Sequence, residues 1–163
     1  MPRTSATPPP VDLSFLLNQA SYALAARLGA ALEGVGISVR EYCVLWKAEE
    51  QERSQTEVAE LAGLDKTTLV VTLDALEGAG YAERRVSSAD RRARVVAVTP
   101  AGRRVLHQAH GVVGEVTDDV LRDLSEVQRA ALVDALEILT RGSLSAPSHT
   151  APQRRRQVPS AQR

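Results

Sequence analysis

Residues 81–102 read YAERRVSSADRRARVVAVTPAG. Two short β-rich runs, Tyr81–Val86 and Arg94–Thr99, flank a polar link, Ser87–Ala93. Val86, Val95, Val96, Val98 and Thr99 are β-branched, which suits strands. Ser87, Ser88 and Asp90 are turn-formers. The pattern is a hairpin with Arg91, Arg92 and Arg94 at its tip and Asp90 beside them. So much charge does little for the stability of a small hairpin. It fits either a solvated end or a tip that reaches into an anionic groove.

The residues just upstream weigh on that choice. Ser54–Gly80 divides into two helices with a tight link. Ser54 and Glu57 have capping-box spacing, and Val58, Leu61 and Ala62 share one helical face. Gly63 stops this helix, Leu64 plugs the turn, and Asp65 caps the next. The second helix spans 66–78 with Leu69, Leu73 and Leu76 on its buried face, and Gly80 closes it. Two short helices joined by a glycine turn form a helix-turn-helix, whose second helix normally enters the DNA major groove. Followed by a basic hairpin, the unit is a winged helix. The competing reading is a helical hairpin packed only for stability.

With these residues in place the chain resembles the MarR family of bacterial transcriptional regulators. The resemblance is carried by Leu76-Glu77-x-x-Gly80-Tyr81-x-Glu83-Arg84, then Asp90-x-Arg92, then Val98-Thr99-x-x-Gly102. These spacings cross a helix, a wing and a helix start, and the likeness extends over about residues 11–141. It implies a dimer, a winged helix in each subunit, and repression relieved by a small ligand or by oxidation.

Composition agrees with a mainly α fold of about six helices plus a small β-hairpin wing, joined to a helical dimerisation layer. The chain has 163 residues, enough for one domain with a sizeable core. Aromatics make up 3%, so Leu, Val and Ala must fill that core. MPRTSATPPP at the start lacks the apolar stretch of a signal peptide, and no run nears a membrane-spanning length. Cys43 is the single cysteine, which excludes an intrachain disulfide and suits a reducing compartment. The expectation is a cytoplasmic protein with no membrane association.

Net charge is zero, but it is segregated. Residues 81–104 hold seven arginines against Glu83 and Asp90, and residues 115–137 hold seven acids against Arg122 and Arg129. A chain so divided can present one positive face to phosphate.

Residues 1–10 are Pro-rich and read as a disordered arm, and 142–163 as a disordered basic tail. Between them, 11–141 reads as a single domain, with the winged helix over 38–99 and dimerisation helices over 11–33 and 100–141. Leu13, Leu16, Leu17, Leu24 and Leu28 line the first helix, which Gly34 and Gly36 end. Ser38 with Glu41 and Ser125 with Gln128 are further capping boxes. Thr99 caps a helix with Pro100 at its first position, expected to run to Leu124 and to loosen at Gly111 and Gly114. The terminal helices carry more apolar surface than a lone winged helix could cover, which points to an intersubunit helical layer. A homodimer would set two recognition helices about 34 Å apart, matching successive major grooves of a near-palindromic site on double-stranded DNA.

Candidate DNA contacts follow. Lys66, Thr67 and Thr68 lie at the recognition-helix start, and Thr72 is one turn on. Lys66 can pair with phosphate or guanine, and the threonines can bond phosphate or touch thymine methyls. Arg92 matches the wing arginine that the family sends into the minor groove. Asp90 is expected to orient it, with Arg91 and Arg94 as backbone contacts. The chain departs from the family at Val70 and Val71, where polar residues or arginine are common. Two neighbours on a helix cannot both face one core, so one should be exposed or meet thymine methyls.

The resemblance places an effector pocket among the first two helices, the long fifth helix and the winged helix. Tyr22, Tyr42, Trp46 and His107 could line it and hold a small aromatic or phenolic acid, although Tyr42 and Trp46 also fit a core. Cys43 shares the 39–46 face and reads as a quiet thiol, with oxidation sensing as the alternative. His107 and His110, at i, i+3, lack a third metal ligand. No motif calls for a cofactor. An enzyme finds no support, with no Gly-rich phosphate loop, nucleophile elbow or Cys/His pair at readable spacing. A helical protein-interaction module would have no use for the arginine wing.

Overall fold

Each of the six described helix starts carries a side chain that accepts from the N–H of the third residue on. The computed structural model describes residues 12–87 and 93–145. Helices α1 (Leu13–Glu33), α2 (Val39–Glu49), α3 (Gln55–Ala62), α4 (Lys66–Gly78), α5 (Pro100–Leu121) and α6 (Glu126–Arg141) are joined by strands β1 (Arg53–Ser54), β2 (Ala82–Val86) and β3 (Arg94–Val98). Ser38, Ser54 and Ser125 each complete a reciprocal capping box with Glu41, Glu57 and Gln128. Asp65 caps α4, and Thr99 caps α5 with Pro100 following. Asp12 caps α1 in the same manner. The expectations for residues 1–10, for Asp90, Arg91 and Arg92, and for the tail past residue 145 fall outside the described residues.

The sheet is antiparallel with order β1-β3-β2. β1 is a strand the sequence reading missed. Arg53 pairs with Val96 and Ser54 with Val95, and two residues are too few to show alternation. The hairpin itself runs from the Ala82–Val98 pair to the Val86–Arg94 pair.

Chain packing divides into two compact units, within residues 1–123 and 124–163. The first holds α1 to α5 and the sheet. Its core is built from Leu45, Val58, Leu69, Leu73, Leu76 and Val96, with Leu106 and Ala109 supplied by α5. Leu61, assigned to this core from spacing, is half exposed at 50%, while Leu64 packs against the core from the turn. α1 lies along α5, and Arg27 bridges to Asp119 at 2.7 Å. Of the 21 residues of α1 only Leu32 is buried; Leu13, Leu16 and Leu24 are exposed. α5 is continuous through Gly111 and Gly114 and stops at Leu121, three residues before the expected end.

The second unit is α6. It buries none of its own residues, and Val127 and Ile138 are 79% and 63% exposed. No described helix is long and apolar enough to cross a membrane.

Candidate nucleic-acid interface

The turn between α3 and α4 sets the reading head. Gly63 takes a left-handed conformation at φ 66° and ψ 31°, which a side chain would strain. Its N–H bonds back to Ala59 and Glu60, and the chain reverses into Asp65. The Asp65 carboxylate accepts from the Thr68 N–H at 2.9 Å and from the Thr68 hydroxyl at 2.6 Å. These bonds, the Thr68 hydroxyl first, hold the Asp65 carboxyl below its ordinary value. The Thr68 hydroxyl proton is thereby committed to the cap.

Lys66 and Thr67 are exposed beside that cap. Thr72, expected as a contact one turn on, is turned away from this exposed face. It is 7% exposed and its hydroxyl donates to the Thr68 carbonyl one turn back, so it faces the core. The outward face of α4 is Thr67, Val70, Val71 and Asp74, at spacing i, i+3, i+4, i+7. Both valines are exposed, Val70 at 38% and Val71 at 65%.

The wing is locked to α4 through Arg84. Its N–H donates to Glu77 Oε1 at 2.6 Å, and its guanidinium reaches Glu77 Oε2, Asp74 Oδ1 (2.8 Å) and the Val70 carbonyl (3.3 Å). Arg85 pairs with Glu52 and Arg103 with Glu49, each at 3.4 Å. Three of the seven arginines of 81–104 are thus neutralised within the fold. Arg94 and Arg104 have no ion pair among the described residues, and Arg94 stands exposed where β3 begins.

The wing base is tied to α5 in turn. Thr99 N–H donates to the Tyr81 carbonyl at 3.0 Å, and the Thr99 hydroxyl donates to the Gly80 carbonyl at 2.7 Å. A Cβ on Gly102 would stand 2.0 Å from the Tyr81 carbonyl oxygen. Only glycine permits that approach, which gives the Thr99-x-x-Gly102 spacing its physical reason.

Comparison with known proteins matches this geometry. A family model described as the MarR family matches residues 35–93, which run from before α2 to the end of the wing link. CouR from Rhodococcus jostii RHA1, solved bound to p-coumaroyl-CoA, shares 30% identity over 79% of this chain and 92% of its own, with a TM-score of 0.74. The chain belongs to the MarR family. A MarR-family transcriptional regulator from Rhodococcus sp. RHA1 is 29% identical, covering 78% of this chain and 91% of its own at a TM-score of 0.73. CouR has also been solved on a 23-mer DNA duplex, at 29% identity, the same 79% and 92% coverage and a TM-score of 0.72. This protein is accordingly a DNA-binding transcriptional regulator with a winged helix.

The effector residues read from the sequence are only partly brought together. Tyr42 and Trp46 of α2 meet His110 of α5, not His107. The Tyr42 hydroxyl lies 3.0 Å from His110 Nδ1, and the imidazole stands edge-on to Tyr42 at 5.4 Å and to Trp46 at 5.8 Å. The Lys47 ammonium sits 3.8 Å above the Trp46 ring. His107 and Tyr22 are exposed and take no part, Tyr22 at 79%. Helical phase held the missed signal. Leu106, Ala109 and Val113 mark the inward face of α5, and His110 adjoins that face while His107 borders it from outside. Cys43 is half-buried, and burial pushes its thiol above the ordinary value against a weaker opposing pull from Lys47. A separate cleft of about 430 Å³ lies between the end of α2, the sheet and the start of α5, lined by Glu49, Glu52, Glu83, Arg85 and Arg103 among others.

Proposed function

We propose that the protein is a homodimeric, sequence-specific repressor that lays α4 into the major groove and the wing into the adjacent minor groove, and that a small aromatic or phenolic ligand releases it. The observation that carries this reading is the outward face of α4. Lys66 and Thr67 stand exposed at its N-terminus, beside an arginine-bearing wing that Arg84 holds in fixed relation to the helix. Lys66, Thr67 and Arg94 are the contacts favoured among the described residues. Arg92, with Asp90 orienting it and Arg91 beside it, is the wing contact favoured from the motif. Thr68 serves to fix the helix start.

The exposed stripes of α1 and α6 support a dimer, because each leaves large side chains in water that a second copy would cover. The Tyr42–Trp46–His110 cluster joins α2 of the winged helix to α5, so a ligand wedged beside it would alter the spacing of two recognition helices. That CouR is solved with p-coumaroyl-CoA supports a phenolic acyl group as the ligand class. Release requires tighter binding to the DNA-incompetent spacing, since equal affinity for both shifts nothing. The raised Cys43 thiol weighs against an oxidation switch.

Selection of bound sites from random duplex DNA tests the reading. A two-fold half-site pair spaced by about one helical turn is the expected outcome. Recovery of no enriched sequence overturns it and favours a protein-interaction module. Titration of p-coumarate and its coenzyme A thioester against the bound operator then tests release.

A further inference from the structure

The middle of the α4 face is apolar in a place where water offers nothing for it. Val70 and Val71 are β-branched, which weakens a helix slightly, and both are exposed at 38% and 65%. Neither belongs to the described hydrophobic core. Thr67 adds a third methyl-bearing side chain one turn earlier. α4 contains no arginine, asparagine or glutamine, the side chains that read guanine or adenine by paired hydrogen bonds. Thr72 is turned inward and the Thr68 hydroxyl proton is held by Asp65. Asp74, which could accept from cytosine, is held by Arg84 at 2.8 Å. Lys66 is the sole cation on the helix, and it sits at the end nearest the phosphates.

We infer that this recognition helix reads its half-site chiefly through thymine methyl groups, with Val71 and Val70 as the specificity-determining residues. The C5-methyl of thymine is the apolar feature of the major-groove edge, and uracil lacks it while keeping every hydrogen-bonding group of the base. Burying one methyl is worth about 0.8 kcal/mol, or roughly fourfold in affinity. The inference rests on α4 entering the major groove, as proposed above.

The experiment uses the full-length protein and its selected operator, with each thymine in turn replaced by uracil. We expect one or two thymines per half-site at which uracil weakens binding about fourfold each. In Val71→Ala or Val70→Ala the thymine–uracil difference at one of those positions should fall towards unity. Both side chains are exposed, so thermal melting of the variants should match that of the parent. Uracil tolerated at every position, with specific binding intact, overturns the methyl readout and leaves the major-groove reading standing. A thymine–uracil difference that survives in both variants assigns the methyl to another residue and overturns the role of the valines. If no specific operator is recovered, the underlying reading and this inference fall together.

Discussion

Leu69, Leu73 and Leu76 of α4 are buried within a single copy of the chain, whereas Leu13, Leu16 and Leu24 of α1 and Leu132, Leu136 and Ile138 of α6 stand exposed. Both sets are large aliphatic side chains carried on helices. They differ in where their cover comes from. The winged helix closes its core with its own sheet and with α5, so its apolar residues are satisfied locally. The outer helices hold a stripe that no part of the described chain covers fully. The reading head is thus complete in one copy, and the scaffold that spaces two heads is half of a structure.

The largest effect should come from breaking the open half. Leu132→Asp together with Leu136→Asp places charge on the α6 stripe in each copy, and should raise the dimer Kd by at least about 100-fold. Sedimentation analysis would show monomers while the helical circular-dichroism signal persists. A variant that stays dimeric would remove α6 from the interface.

The closed half is tested by Gly102→Ala. Its Cβ would collide with the Tyr81 backbone at the wing base, and the expected loss is about 2–3 kcal/mol in urea unfolding. An unchanged midpoint would mean that wing and α5 separate at little cost.

Part of this division is legible in the sequence. Caps were the most legible features, because Ser54, Asp65, Thr99 and Ser125 act on residues three positions away and need no tertiary information. The buried stripe of α4 was equally plain. Leu61 misled because periodicity marks a face without telling how far the core reaches around it. Thr72 misled because a hydroxyl one turn from a contact residue looks outward until its bond to the Thr68 carbonyl is seen. The Arg84 clamp was half legible: Glu77 and Arg84 were in the motif, but their pairing joins a helix to a strand. Likewise His110 displaced His107 through helical phase, which sequence spacing of i, i+3 leaves undecided.

Smaller effects sharpen the contrast at the DNA surface. Lys66→Ala should weaken operator binding by about 1 kcal/mol and lower the slope of log affinity against log salt by about 0.9 per subunit. The helix should be unaffected, since Lys66 forms no ion pair among the described residues. An unchanged slope in a fluorescence-anisotropy salt series would remove Lys66 from the phosphate contacts.

The smallest effect is expected at Cys43. Cys43→Ser should cost no more than about 1 kcal/mol in stability and leave the response to mild peroxide the same as in the parent. Loss of DNA binding under peroxide in the parent alone would convert the ligand-release reading into a thiol switch.

Because Gly102 rests on the Tyr81 carbonyl and Arg84 ties the wing to α4, the long α5 helix and the DNA-reading surface form one stiff crank. Twenty-two residues at about 1.5 Å each make an arm of roughly 33 Å. A tilt of about 5° at its pivot displaces the far end by about 3 Å, comparable to one base-pair step along the duplex. A ligand therefore need not deform the part that reads sequence. A slight turn of the crank in each subunit is enough to throw the pair out of mesh with the groove.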